Sequence, residues 1–161
     1  MLIVDTSAFI SLASVELLEK VLNEYDVHTT NKVLEELEST SDYEDIHGEA
    51  AENVVNHTSN FQIHELETEG FESSRVDAGE YSCIVLAAKL DSEFVLTDDF
   101  RALPELKSLA DCRVAISPIM LKALVKRGEI SGKEARRKLD ELAENRNWLG
   151  SPIYRHAKKI F

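Results

Sequence analysis

The sequence predicts an α/β domain in which a mainly parallel sheet carries helices on both faces and a helical segment is appended at the C-terminus. Two observations predict this fold class. Short apolar runs alternate with longer stretches of helical periodicity, and 161 residues suffice for one domain with its own core. Apolar residues make up 43% of the composition and charged residues 30%, which indicates a globular chain rather than a disordered one.

The first elements follow from local patterns. Residues 1–4 are an apolar run, which predicts a buried strand, and residues 8–22 have the spacing of an amphipathic helix. Residues 26–29 predict a second strand. A helix follows it, because Thr29 or Thr30 can cap the first turn with a side-chain oxygen.

The same reasoning predicts the rest of the chain. Apolar runs, and a weak apolar–polar alternation at residues 61–66, indicate strands, and apolar residues three or four positions apart indicate helices. The remaining elements are strands at residues 61–66, 93–97 and 113–117, helices at residues 39–57 and 77–90 and after Asp99, and two or three helices in residues 119–161. We therefore expect one domain over residues 1–161, with a core of about 1–116 and a helical extension of about 117–161.

The charge is unevenly distributed. The formal net charge is −12, which argues against simple electrostatic capture of nucleic acid. Residues 1–116 hold 7 basic and 25 acidic side chains, a net charge of −18, whereas residues 117–161 hold 11 basic and 5 acidic ones, a net charge of +6. An acidic body is thus predicted to carry a basic C-terminal segment. With no apolar run long enough for a membrane span and no signal-peptide pattern, we expect a cytoplasmic protein.

Carboxylates stand at positions that a parallel sheet would bring together. Asp5 ends the first strand, and Asp98 and Asp99 end the strand at residues 93–97. Ligands bind beyond the carboxyl ends of such strands. Glu80 lies one turn before the apolar face of its helix, although it also has the spacing of a capping box with the helix start. Glu36 leans toward the interior edge of its helix, although an ordinary surface position is an alternative.

Clustered carboxylates raise one another's pKa unless a cation neutralises them. Oxygen ligands without histidine or cysteine nearby suit Mg²⁺ or Mn²⁺ rather than zinc. Such ions bind a scissile phosphate, lower the pKa of a bound water from about 15.7 toward about 7, and stabilise the leaving oxygen. The pattern of carboxylates therefore indicates an enzyme that hydrolyses a phosphodiester bond.

These motifs resemble those of the PIN-domain nucleases over about residues 1–116. The resemblance rests on their order and spacing: Asp5-Thr6-Ser7-Ala8, Glu36-Leu37, Gly79-Glu80 and Thr97-Asp98-Asp99. It implies a three-layer α/β/α fold and an endoribonuclease that uses Mg²⁺ or Mn²⁺. The implied catalytic residues are Asp5, Glu36, Glu80 and Asp99, and the implied metal ligands are Asp5, Glu80, Asp98 and Asp99. Thr6 and Thr97 would orient the carboxylates.

The resemblance also implies possible partners. Many small PIN proteins are VapC-type toxins that pair with an antitoxin and form homodimers, and acidic PIN proteins with such tails are familiar from archaea. Processing or quality control of rRNA, tRNA or mRNA is the alternative role. A PIN module that binds RNA or protein without cutting is a third.

Basic side chains near the carboxylates would hold the RNA backbone. The candidates are Arg101, Lys122, Lys126, Arg127, Lys133, Arg136, Arg137 and Lys138. A solvated helix face and internal pairing with the acidic body are the alternatives for these residues. The five histidines show no ligand spacing and receive no role.

Overall fold

The computed structural model of the protein describes residues 1–68 and 71–160. Five strands form one sheet in the order β3-β2-β1-β4-β5. The strands are β1 (Leu2–Val4), β2 (Val27–Thr30), β3 (Gln62–His64), β4 (Phe94–Leu96) and β5 (Arg113–Ala115). The helices are α1 (Thr6–Ser14), α2 (Leu18–Glu24), α3 (Asn31–Ser41), α4 (Ile46–Asn56), α5 (Ala78–Leu90), α6 (Leu103–Leu109), α7 (Ile119–Arg127), α8 (Gly132–Asn145) and α9 (Pro152–Lys158), with a 3-10 helix at Thr58–Asn60.

The sheet lies between layers of helices, and the predicted α/β/α fold class is confirmed. Every strand pair in the described residues is parallel. The central strand β1 is fully buried, with Ile3 opposite His28 of β2 and Val95 of β4. Helix α5 packs against β1, β2 and β4, so its first turn lies near the ends of the central strands.

Two predicted helices are each divided in two. The amphipathic stretch at residues 8–22 is helical, as predicted, but it holds two helices, because the chain turns between α1 and α2, where Glu16 has a φ of 56°. The prediction of one helix over residues 39–57 is wrong. Helix α3 runs on to Ser41, and α4 begins after Asp45, whose carboxylate accepts hydrogen bonds from two amides of the new first turn. The Asp45 cap thus begins a new helix within a stretch that periodicity alone predicts to be one helix.

The C-terminal helices are fixed to the end of α1. Lys138 of α8 is buried and donates from Nζ to the backbone carbonyl of Val15 at 2.6 Å. Asn145 donates from Nδ2 to the carbonyl of Ser14 at 2.9 Å. Trp148 is 7% exposed, so it packs in the interior as an aromatic side chain usually does.

One apolar cluster extends from the sheet into the C-terminal helices. It includes Ile3 of β1, Leu37 of α3 and Leu142 of α8. The acidic body and the basic extension therefore share a hydrophobic core. Within residues 1–68 and 71–160, no helix combines the length and the apolar character that crossing a bilayer requires.

Candidate active site

Asp5 stands where β1 meets α1. Its amide donates to the carbonyl of Leu96 at 3.1 Å, which ties the end of β1 to the end of β4. Its carboxylate caps α1 by accepting a hydrogen bond from the amide of Ala8 at 2.8 Å. With 2% of its surface exposed, Asp5 is a buried acid that the backbone holds in one place.

Ser7 connects the ends of β1 and β4 through its hydroxyl group. Its Oγ lies 2.9 Å from Oδ1 and 3.1 Å from Oδ2 of Asp5, and it donates to this carboxylate. The same Oγ accepts a hydrogen bond from the amide of Asp98 at 2.7 Å and lies 3.5 Å from Oγ1 of Thr97. The single hydroxyl group of Ser7 thus orients the Asp5 carboxylate and fixes the turn that follows β4.

Glu36 of α3 is held by Thr6 and by the start of α5. Thr6 donates from Oγ1 to Oε2 of Glu36 at 2.5 Å. Gly79 lies against the Glu36 carboxylate so closely that a Cβ atom at position 79 would overlap it. Glu35 is exposed, so the predicted difference between the two glutamates is confirmed. A side chain at position 79 would therefore require the Glu36 carboxylate to move.

Glu80 has both of the functions that its position in the sequence allows. It forms a capping box with Asp77: the Glu80 amide donates to the Asp77 carboxylate at 2.8 Å, and the Asp77 amide donates to Oε2 of Glu80 at 3.0 Å. Glu80 is nevertheless 6% exposed, because the cap lies on the sheet side of α5. The carboxylate is thus both a structural cap and part of a buried acidic group.

The two aspartates after β4 face different surroundings. Asp99 accepts hydrogen bonds at Oδ1 from the amides of Arg101 and Ala102, at 2.8 and 3.0 Å. Asp98 points to Ser117, whose amide and hydroxyl donate to its two oxygens at 2.7 and 2.6 Å. Both oxygens of Asp98 are thus bonded to Ser117, so Asp99 is the better candidate for a metal ligand.

One cavity of about 220 Å³ collects these side chains. Four of the predicted acids line it, each from a different segment of the chain. Its lining is Asp5, Thr6, Ser7, Ile10, Glu36, Asp77, Glu80, Asp99 and Arg146. Asp98 and Thr97 are not part of this lining, although the Thr97 hydroxyl is close to Ser7.

Burial changes the acidity of these groups. Burial raises the pKa of Asp5 to about 7, in spite of hydrogen bonds from Thr97, Ala8 and Ser7. Burial and the nearby acids Asp77, Asp5 and Asp99 raise the pKa of Glu80 to about 8, and burial raises the pKa of Glu36. Ionisation of all the carboxyl groups in the cavity is therefore unfavourable without a cation.

The comparison with family models assigns the whole chain. The model of family DUF3368, whose description is PIN domain, matches residues 1–161. The chain belongs to the PIN-domain family. PIN domains are generally nucleases, which are hydrolases, and they typically use divalent metals. A comparison with curated proteins gave no significant match.

The donor set of this PIN domain suits a Mg²⁺ or Mn²⁺ ion, because the acids that line the cavity offer carboxylate oxygens. In the part of the chain that the structure describes, however, no three Asp, Glu, His or Cys side chains are arranged as a ready ligand set. Asp5, Glu80 and Asp99 each accept hydrogen bonds from nearby backbone amides instead. The chemistry of the donors fits the ion, and ligation would require these side chains to turn.

The predicted RNA-binding residues of the PIN domain lie outside the cavity. Arg101 is exposed and next to Asp99, and Lys122, Lys126 and Arg136 are also exposed. Two others form ion pairs: Arg127 lies 3.0 Å from Glu24, and Arg137 lies 3.6 Å from Glu141. Lys138 was among the candidates, and this prediction is wrong, because its ammonium group is buried against the carbonyl of Val15. The contribution of the others to RNA binding stays a prediction.

Sequence reasoning missed three polar residues that line the cavity. Ser7 stood in the first motif without a role, although a hydroxyl two positions after a strand-ending aspartate was a signal. Asp77 was considered only as a cap. Arg146 gave no signal, because its position depends on how α8 docks on α1.

A histidine pair was also missed. Nδ1 of His28 and Nε2 of His64 lie 2.8 Å apart, on neighbouring strands. Neither ring lines the acidic cavity, so the pair belongs to the sheet rather than to the candidate site.

Proposed function

We propose that this PIN domain is a metal-dependent endoribonuclease that hydrolyses phosphodiester bonds in RNA with Mg²⁺ or Mn²⁺. The observation that carries the proposal is the convergence of Asp5, Glu36, Glu80 and Asp99 on one cavity. Burial raises the pKa of three of them, Asp5, Glu36 and Glu80. Ionised carboxylates confined in this way favour a divalent cation among them.

The chain's own residues hold the acids in place. Ser7 donates to Asp5, and Thr6 donates to Oε2 of Glu36, whose Oε1 would accept a hydrogen bond from water. Asp5, Glu80 and Asp99 would hold the ion. A bound divalent ion would neutralise these carboxylates and polarise the scissile phosphate for attack by water.

Cleavage of a labelled single-stranded RNA tests the proposal. The wild-type protein should cut it with Mn²⁺ or Mg²⁺ and leave it intact in EDTA. Asp5→Asn should lower the rate by about 100-fold or more, since a neutral amide is a poor ligand for a divalent ion. Asp111→Asn, at an exposed loop position, is the matched control and should cut normally.

Two results would overturn the proposal. The first is an intact RNA after incubation of folded wild-type protein with either ion, which would favour a non-catalytic PIN module. The second is cleavage by Asp5→Asn at the wild-type rate with saturating Mn²⁺. Far-ultraviolet circular dichroism of each variant checks that the fold is retained.

The cellular role is proposed in two forms. In the first, the enzyme is the toxin of a toxin–antitoxin pair; it forms a homodimer and binds an antitoxin protein. In the second, it processes RNA. Expression in a bacterial host separates them: growth arrest that depends on Asp5 supports the toxin role. Normal growth, together with cleavage in vitro, supports RNA processing or quality control.

A further inference from the structure

Arg146 is a basic side chain in a cavity lined by carboxylates. It directly follows α8, in the basic C-terminal extension, and lines the same cavity as Asp5, Glu36 and Glu80. We propose that Arg146 binds a phosphate group of the RNA substrate in this cavity. This inference rests on the proposed function and names a substrate-binding residue for it.

The backbone on both sides of Arg146 is fixed. Its own amide donates to the carbonyl of Leu142 at 3.0 Å, as a continuation of the α8 turn. Asn145 is bonded to Ser14 at the end of α1, and Trp148 packs in the interior. The side chain therefore enters the cavity from a rigid support, which is what positions a binding group accurately.

The guanidinium group has unused hydrogen-bonding capacity. Its Nε is buried and has no hydrogen-bond partner among the described residues. A buried donor without a partner is unfavourable, and an arginine offers five donors in a fixed fork. A ligand that reaches this guanidinium group would supply acceptors for donors that the described residues leave unpaired.

Arg146 is more than a counter-ion to one carboxylate. Within residues 1–68 and 71–160 it forms no ion pair within 4.0 Å. Its charge is still effective at longer range: burial raises the pKa of Asp98, and the positive charge of Arg146 partly opposes this rise. The positive charge thus lies close enough to Asp98 to lower its pKa, and no direct contact with an acid of the described residues neutralises it.

Phosphate is the anion that matches this arrangement. The guanidinium fork binds phosphate oxygens through two parallel hydrogen bonds. Five acids line the cavity, namely Asp5, Glu36, Asp77, Glu80 and Asp99, and they repel an approaching RNA backbone. A fixed arginine beside them supplies attraction where the backbone must enter. None of the exposed basic residues predicted from the sequence lines this cavity.

The test compares Arg146→Gln with Arg155→Gln. Arg155 is exposed on α9 and does not line the cavity. Arg155→Gln removes the same charge at a distance from the site, so it is the matched control. Fluorescence anisotropy of a fluorescein-labelled single-stranded RNA in EDTA, over a range of salt concentrations, measures binding without cleavage. Arg146→Gln should reduce the slope of log K against log salt by about 0.7, the value for one lost phosphate contact on a single strand, whereas Arg155→Gln should leave it unchanged.

Cleavage with Mn²⁺ gives a second measurement. Arg146→Gln should lower kcat/KM by about tenfold or more. Arg146→Lys should keep the salt slope, because the charge stays, while kcat/KM falls, because the paired hydrogen bonds are lost. The lysine variant also keeps the test valid if the glutamine variant does not fold, which urea unfolding reveals.

The outcomes separate the two proposals. If the wild-type protein cleaves RNA and folded Arg146→Gln matches it in salt slope and kcat/KM, the phosphate-binding role of Arg146 is overturned and the nuclease stands. If the wild-type protein binds RNA without cutting it and Arg146→Gln loses the slope, the nuclease proposal fails and the role of Arg146 stands. If the wild-type protein does not bind RNA in EDTA, the role of Arg146 is overturned when folded Arg146→Gln also matches the wild-type protein in kcat/KM with Mn²⁺.

Discussion

Replacing Asp5 by asparagine tests the claim that burial makes this carboxylate hard to ionise. The pKa of Asp5 rises from 3.8 to about 7 in the folded protein. Between these two values the folded protein holds a proton that the unfolded chain has lost. The stability that this proton provides is complete below the unfolded pKa and is lost as the pH rises through the folded one.

The size of the effect follows from the two pKa values. Linkage predicts that this group alone lowers the free energy of unfolding by about 3 kcal/mol between pH 5 and pH 8. Asparagine does not ionise, so Asp5→Asn should lack this loss. Its side-chain oxygen can still accept the bond from the Ala8 amide, and asparagine is as good a helix cap as aspartate.

The assay is urea unfolding in EDTA at pH 5 and pH 8. The fluorescence of Trp148, the one tryptophan in the sequence, reports unfolding because this residue is buried. The wild-type protein and the exposed control Asp111→Asn should lose stability from pH 5 to pH 8 by about 3 kcal/mol more than Asp5→Asn does. Added Mn²⁺ at pH 8 should then stabilise the wild-type protein, by about 2.7 kcal/mol at 100 times the dissociation constant, and leave Asp5→Asn unchanged.

Parallel pH dependence of Asp5→Asn and the wild-type protein would refute the reasoning. It would mean that the Asp5 carboxylate is better solvated than its burial indicates, or that the unfolded chain retains the same environment. A pH difference without any effect of Mn²⁺ would keep the electrostatic account and contradict the metal site.

Two further substitutions test the packing of the site. Gly79→Ala should displace the Glu36 carboxylate and lower the cleavage rate by about tenfold or more. The free energy of unfolding in urea should change by less than about 1 kcal/mol, because alanine favours a helix. The control Gly132→Ala, where a Cβ meets no atom within 4 Å, should cut RNA normally. Ser117→Ala should lower the free energy of unfolding by about 1–3 kcal/mol, because buried Asp98 loses a hydrogen bond, and should leave cleavage within about twofold of the wild-type rate. Loss of cleavage in Ser117→Ala at unchanged stability would instead support Asp98 as a ligand.

Much of the fold could be predicted from the sequence, because the signals are local. Apolar runs, a weak alternation at residues 61–66 and the segment at residues 26–29 predicted the five strands, and the capping box at Asp77 and Glu80 placed the start of α5. The breaks between α1 and α2 and between α3 and α4 were missed. The first lies at Glu16, an exposed non-glycine residue whose positive φ is a conformation that L-residues other than glycine disfavour.

The candidate site divides in the same way. Asp5, Glu36, Glu80 and Asp99 could be chosen because each stands at a strand end or on the inner side of a helix. The choice between Asp98 and Asp99 could not be made, since it depends on Ser117 from beyond the next strand. The internal bonding of Lys138 was equally invisible, because only the docked α8 brings it to the end of α1.

The carboxylates of the cavity all precede Arg146 in the sequence, and Asp99 precedes it by 47 residues. During translation, Asp5, Glu36, Glu80 and Asp99 are synthesised first. Arg146 is added several seconds after Asp99, at a synthesis rate of about 5–20 residues per second. Under the role proposed for Arg146, a nascent chain would bind substrate poorly until its C-terminal helices fold back onto α1. Cleavage of the RNA next to the translation machinery would thereby stay slower, by about tenfold or more, until these helices have docked.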